Sequence, residues 1–231
     1  MTQRSRNNHN SKRIGLVLGS LALMAGSMIL NPFHGAATAS ADLDTTAPTT
    51  SISFPWKDSL LRGTTSVNAN ATDNIGVSKV EFYVDGALKA TDTTSTYSFS
   101  WNTTQGSDGA HTLMAKAYDA AGNSASNSIT VKVDNTAPVV AISNLLAGQT
   151  VAGVITVSGT STDIQGIKRL ALYVDGGKVA SKTLLPALTS APFSFSYYTT
   201  LIGNGQHTLK IVATDLLGNE GTKSVTVTVA N

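Results

Sequence analysis

The chain of 231 residues has no cysteine. Disulfides, thiolate metal sites and thiol catalysis are therefore excluded, and any fold must be held by packing and hydrogen bonds alone. Glutamate is nearly absent: Glu81 and Glu220 are the only two. Charge is sparse, at 13% of residues. The formal charge of +2 comes from one end, because Arg4, Arg6, Lys12 and Arg13 precede Asp42 and no acidic residue does. The remainder carries 12 basic and 14 acidic residues, a net of −2. No basic patch is left to grip nucleic acid or an anionic membrane. Long apolar runs are also scarce. The single one, Ile14 to Leu30, follows the basic cluster and leads to Ala39-Ser40-Ala41. This order matches a secretory signal peptide spanning residues 1–41, with the mature chain starting at Asp42. The alternative is a retained anchor, but 17 residues containing Gly15, Gly19 and Gly26 are short for a membrane span. The chain is expected to be exported: secreted, at the cell surface or periplasmic.

What the chain does have, it has twice. TDNIGVSKVEFYVDG (Thr72 to Gly86) returns as TDIQGIKRLALYVDG (Thr162 to Gly176), and DTTAP (Asp44 to Pro48) as DNTAP (Asp134 to Pro138), each 90 positions later. TYSFSWNTT (Thr96 to Thr104), DGAHTLMAKAYDAAGN (Asp108 to Asn123) and ITVKV (Ile129 to Val133) all return 96 positions later. The second copy thus carries six extra residues, near Lys182 to Ala191. A period this long is domain-sized rather than solenoid-like. Domains at 42–134 and 135–231 follow, joined by a short linker that Pro138 stiffens.

Within each copy, apolar and polar residues alternate with the period of a strand. Val80, Phe82 and Val84 share one face. So do Leu113, Ala115 and Ala117, then Ile129, Val131 and Val133, and their equivalents in the second copy. Tyr97, Phe99 and Trp101 alternate with serines, as do Phe193, Phe195 and Tyr197, and are expected to fill the two cores. Asp85-Gly86 and Asp175-Gly176 suit tight hairpins. About seven strands per copy are predicted, near 49–54, 65–72, 77–84, 87–92, 96–102, 110–118 and 127–133, and again in the second copy. The fold class is all-β: two tandem sandwiches of the immunoglobulin-like strand number.

These same segments carry a resemblance. Both copies resemble the bacterial immunoglobulin-like domains found in tandem on secreted enzymes and surface adhesins. The second copy departs at Ile164-Gln165, at Tyr197 in place of Trp, and in its insertion. The resemblance implies a spacer, stalk or adhesive module, here without a catalytic neighbour in the chain.

A search for chemistry finds little that is catalytic. His111 and His207 are equivalent and sit just after turns, as rim residues do. A glutamate pair within one copy is impossible, and no serine stands in a nucleophile elbow. No enzyme activity is expected. Three aromatics offer a binding surface: Trp56, outside the strand alternation, and the outward-facing Tyr83 and Tyr173, against an ordinary role as edge and sheet residues. The strongest constellation is acidic. The topology brings the start of each domain to the same end as the loop after its second strand and the loop before its last. Asp134, Asp163, Asp215 and Asn219 would meet in the second domain, and Asp44, Asp73, Asp119 and Asn123 in the first. Carboxylates and amide oxygens are the hard ligands of Ca²⁺. Asp and Asn are equally at home as turn formers, so that alternative stands beside the metal site. Two functions remain open: a non-catalytic exported spacer or adhesion module, monomeric, whose partner is a protein or polysaccharide at the cell surface, or a secreted carbohydrate- or protein-binding protein that uses an exposed aromatic surface.

Overall fold

Each copy becomes a β-sandwich, but the two copies route their strands differently. The computed structural model describes residues 43–231. The segment read as a signal peptide, and its cleavage site, lie outside the described residues.

The first copy forms β1 (Thr49–Phe54), β2 (Leu60–Leu61), β3 (Thr64–Thr72), β4 (Val77–Val84), β5 (Ala87–Asp92), β6 (Ser98–Asn102), β7 (Gly109–Asp119) and β8 (Ser124–Val133). One sheet has the order β1-β3-β6, and the facing sheet β2-β8-β7-β4-β5. β2 was not foreseen. After Trp56 the chain changes sheets, and Leu60 and Leu61 pair in parallel with Lys132 and Val133 of β8. The β4–β5 hairpin turns on Asp85 and Gly86, whose φ values are 51° and 80°. A type I′ turn needs two positive φ angles, which Asp and Gly tolerate best. Val67, Val80, Phe82, Leu113 and Val131 close the core between the sheets.

The second copy forms β9 (Val139–Ile142), β10 (Thr150–Val151), β11 (Val154–Val174), β12 (Gly177–Tyr198), β13 (Gly205–Asp215) and β14 (Glu220–Val229). Here the predicted strands do not stay separate. β11, of 21 residues, merges the counterparts of β3 and β4, and β12, of 22, merges those of β5 and β6. The two pair at both ends, from Val154 opposite Tyr198 to Val174 opposite Gly177, with pairing interrupted at a corner between. The first part of β11 also pairs with β9 and the last part with β13. One continuous six-stranded sheet therefore wraps around the core. The register breaks between Thr162 and Arg169, where the hairpin passes from one face to the other. Bulges bend strands at such corners.

The six extra residues explain the difference. In the first copy only five residues lie between β5 and β6. Asp92 closes that connection on itself, accepting from Thr94 N and Ser98 N. The longer second copy has enough chain to turn the corner and pair again beyond it.

The linker is pinned at successive residues. Asp134 N donates to Leu61 O at 3.0 Å. Asn135 N donates to Asp108 Oδ1 at 2.8 Å, and Asn135 Oδ1 accepts from Gly63 N at 2.8 Å. The Thr136 hydroxyl donates to Asp108 Oδ2. From the second copy, Asn219 Nδ2 donates to Asp134 O at 3.1 Å. Arg62 of the first copy donates to Asn219 Oδ1 at 3.0 Å.

Candidate functional site

Three carboxylates gather where the copies join. Asp134 follows the last residue of β8, Asp163 lies at the register break of β11, and Asp215 ends β13. One carboxylate oxygen from each lies within 4.8 Å of the others. All three are buried, Asp134 and Asp215 at 0% exposure and Asp163 at 9%. Local turns fix their aim. Asp163 Oδ1 accepts from Gln165 N and Gly166 N, both at 2.9 Å. Asp215 Oδ1 accepts from Asn219 N at 2.8 Å and its Oδ2 from Asn219 Nδ2 at 2.6 Å. Asp134 Oδ1 accepts from Thr136 N at 3.2 Å, but its Oδ2 is enclosed and has no partner. Burial pushes the Asp134 carboxyl up, and the charges of Asp163, Asp215 and Asp108 add to that, against the Thr136 amide.

The first copy holds the counterpart. Asp44, Asp73 and Asp119 also converge within 4.8 Å, but only Asp119 is fully buried. Burial opposes its charge, yet the Asn123 side chain and the amides of Asn123, Gly122 and Ala121 hold it below the usual range. Asn123 and Asn219 join the two clusters, though as braces. Their amide nitrogens face carboxylate and carbonyl acceptors, and the oxygen of Asn219 is turned to Arg62. Both readings of these residues therefore coexist: most carboxylate oxygens do cap turns, while the clusters still draw together three acids each.

The two histidines among the described residues are clamped alike. His111 Nδ1 is 2.6 Å from Asp85 Oδ2 and Nε2 is 2.8 Å from Ser107 O. His207 repeats both distances with Asp175 and Gly203 O. A carboxylate and a carbonyl both accept, so this pair of partners favours the ring with both nitrogens donating, and each histidine's pKa is raised. Both nitrogens of each ring are thus engaged within the protein.

The aromatics are not assembled into one surface. Trp56, 72% exposed, stands in the loop after β1 with its ring edge-on to Phe54 at 5.8 Å. Tyr83 donates to Glu81 Oε2 at 2.6 Å, and Lys79 to Glu81 Oε1 at 2.6 Å. Those contacts hold Glu81 down to about 2 and push Tyr83 up to about 12. Lys210 lies over the Tyr173 ring at 5.1 Å. One feature was missed from the sequence: a groove of about 450 Å³ in the first copy, lined by Val84, Ala87, Lys89, Phe99, Trp101 and Gly106. In the second copy Ile202, aligned with Gly106, packs against the core instead. That Gly-to-Ile difference between aligned copies was the available signal.

The bacterial Ig domain family matches residues 48–115 and 138–211, more than half of the chain. The chain belongs to this family. Both matches span strands of one sandwich, so these are two bacterial Ig domains in tandem. No curated protein matches the chain. Among solved structures, the chain is similar to the fibronectin(III)-like modules of Clostridium thermocellum CbhA, at 22% identity, covering 78% of this chain and 94% of that one, with a TM-score of 0.43. It is also similar to a 1.5-MDa bacterial ice-binding adhesin, at 16% identity, covering 81% and 67%, with a TM-score of 0.43. The endo-beta-1,4-mannanase of Thermotoga petrophila is similar at 23% identity over 40% of this chain and 21% of that one, with a TM-score of 0.36.

Proposed function

We propose that this pair of bacterial Ig domains, bounded at 42–134 and 135–231, is a non-catalytic exported spacer or adhesion module. The pinned linker carries the reading. A tether meant to swing needs no hydrogen bonds, yet Asp134, Asn135 and Thr136 are each bonded to the first domain and Asp134 also to the second. Such a joint suits a part that sets distance and direction between whatever lies at its ends. The clamped histidines support a non-catalytic role, because both nitrogens of each ring are already held by hydrogen bonds within the protein. The partner is a protein or polysaccharide at the cell surface.

The test starts with export. The expressed full chain should be recovered outside the cytoplasm with Asp42 as its first residue. Replacing Asn135 and Thr136 by glycine should widen the distribution of end-to-end distances, read by spin labels placed in the two domains. An unchanged distribution would remove the spacer reading. A second reading rests on Trp56, an indole too exposed to be serving a core. In it the chain is a carbohydrate- or protein-binding protein. Retention on an insoluble polysaccharide that is lost in Trp56→Ala would favour it.

A further inference from the structure

We propose that Asp134, Asp163 and Asp215 form a binding site for a hard divalent cation, Ca²⁺ above all, at the joint between the two domains. The inference stands apart from the spacer reading, since an ion could bind here whatever the module carries.

The geometry meets the first requirement for a shared ion. Two oxygens that each lie about 2.4 Å from a shared Ca²⁺ are at most about 4.8 Å apart. The three carboxylates each offer an oxygen within 4.8 Å of the others. The orphaned Oδ2 of Asp134 is the independent sign of a missing partner. It belongs to a fully buried side chain in this cluster and accepts no hydrogen bond. A buried carboxylate is strongly disfavoured unless it is paired or bound to a metal. None of the ion pairs among the described residues involves the three acids. The nearby cation Arg62 spends its bond on Asn219.

The donors also decide the class of ion. All are oxygens, with no imidazole or thiolate, which suits Ca²⁺ or Mg²⁺ rather than zinc or copper. Three carboxylates leave three to five positions for water or carbonyls. That irregular set matches the flexible coordination of Ca²⁺ better than the octahedron Mg²⁺ demands. Of the three acids, Asp163 reaches a surface hollow, which it lines with Thr136. Asn219, first counted among the ligands, is a second-rank brace that holds Asp215 in place. Asp134 comes from the end of β8, while Asp163 and Asp215 belong to the second domain, so the ion would tie one domain's last strand to the next domain's loops. The half-exposed cluster of Asp44, Asp73 and Asp119 should bind more weakly.

Calorimetric titration of the chelator-treated full chain with CaCl₂ should give one strong site. At free Ca²⁺ a hundred times its Kd, the unfolding equilibrium should shift about a hundredfold. Asp134→Asn should abolish the strong binding and, because it removes an uncompensated buried charge, should be at least as stable as the natural chain in chelator. Asp163→Asn provides the second variant, and Asp73→Asn should leave the strong site intact. No binding heat and identical melting in Ca²⁺ and chelator would overturn the proposal. Strong binding that survives both Asp134→Asn and Asp163→Asn would overturn it as well.

Discussion

Replacing Phe82 by alanine probes the first core at its centre. Phe82 is 0% exposed and its ring meets Phe99 at 5.1 Å. It sits on β4, between Ala115 of β7 and Ala90 of β5. Its two directly paired neighbours are alanines, so neither can fill the space itself. Removing a fully buried phenyl ring loses its transfer free energy and leaves a cavity, about 3 to 5 kcal/mol together. With a urea m-value of about 1 to 1.5 kcal/mol per molar, the midpoint should fall by roughly 2 to 5 M. The chain supplies its own reporter. Both tryptophans lie in the first domain, Trp101 buried and Trp56 exposed. The change in tryptophan emission on unfolding therefore follows the surroundings of Trp101. Phe82→Leu, at about 1.5 kcal/mol or less, serves if the alanine variant does not fold. The control is Leu172→Ala at the aligned position of β11, also fully buried. It should lower the second domain's stability by about 2 to 5 kcal/mol and leave the tryptophan transition where it was. A midpoint unchanged by Phe82→Ala would refute the packing argument. An equal shift from Leu172→Ala would show that the two cores melt as one.

Further expectations concern the second core, the histidine clamps and the groove. A Cβ on Gly159 would lie 1.9 Å from Ala141 O and 2.8 Å from the Phe193 ring. Gly159→Ala should therefore strip β9 from β11 and cost more than about 3 kcal/mol, beyond ordinary overpacking, with amide exchange at Val139–Ile142 as the readout. The His207 pKa is raised by its bond to Asp175, with the Gly203 carbonyl adding to it. The His111 pKa ends raised although burial opposes it, through Asp85 and Ser107. Raised folded values mean that this stabilisation is full below the unfolded value of about 6.5 and is lost as pH rises through the folded values. Thermal scans should show stability declining above neutral pH, and the decline should shrink in a His111→Gln, His207→Gln double variant. Asp85 and Asp175 are lowered, Asp85 against its burial and Asp175 chiefly by His207, so a second loss should appear as pH falls through their folded values. Gly106→Ile, which copies the aligned Ile202, should fill the first domain's groove and leave the melting midpoint level or higher. A lower midpoint would mean that the groove cannot accept the side chain.

The period-two alternation and the tandem offset settled the all-β class and the repeated sandwich, because those patterns are local properties of the chain. Val80-Phe82-Val84 can face a core in only one register, and Asp85-Gly86 supplies the positive φ values of a tight hairpin. The meeting of Asp134 with Asp163 and Asp215 could be anticipated, since it follows from which loops share an end of the sandwich. Three features needed the tertiary structure. The sequence located six extra residues but could not say that pairing would resume beyond a corner, fusing four strands into β11 and β12, because pairing across a bulge depends on partners far along the chain. It could not set the burial of Asp134 or leave its Oδ2 without a partner, because both depend on how Leu61, Thr136 and Asn219 close around it. Nor could it turn the Asn219 oxygen away from the acids, because Arg62, 157 residues earlier in the chain, supplies the competing hydrogen bond. Local pattern fixes which way a side chain faces. Only the assembled joint decides what it finds there.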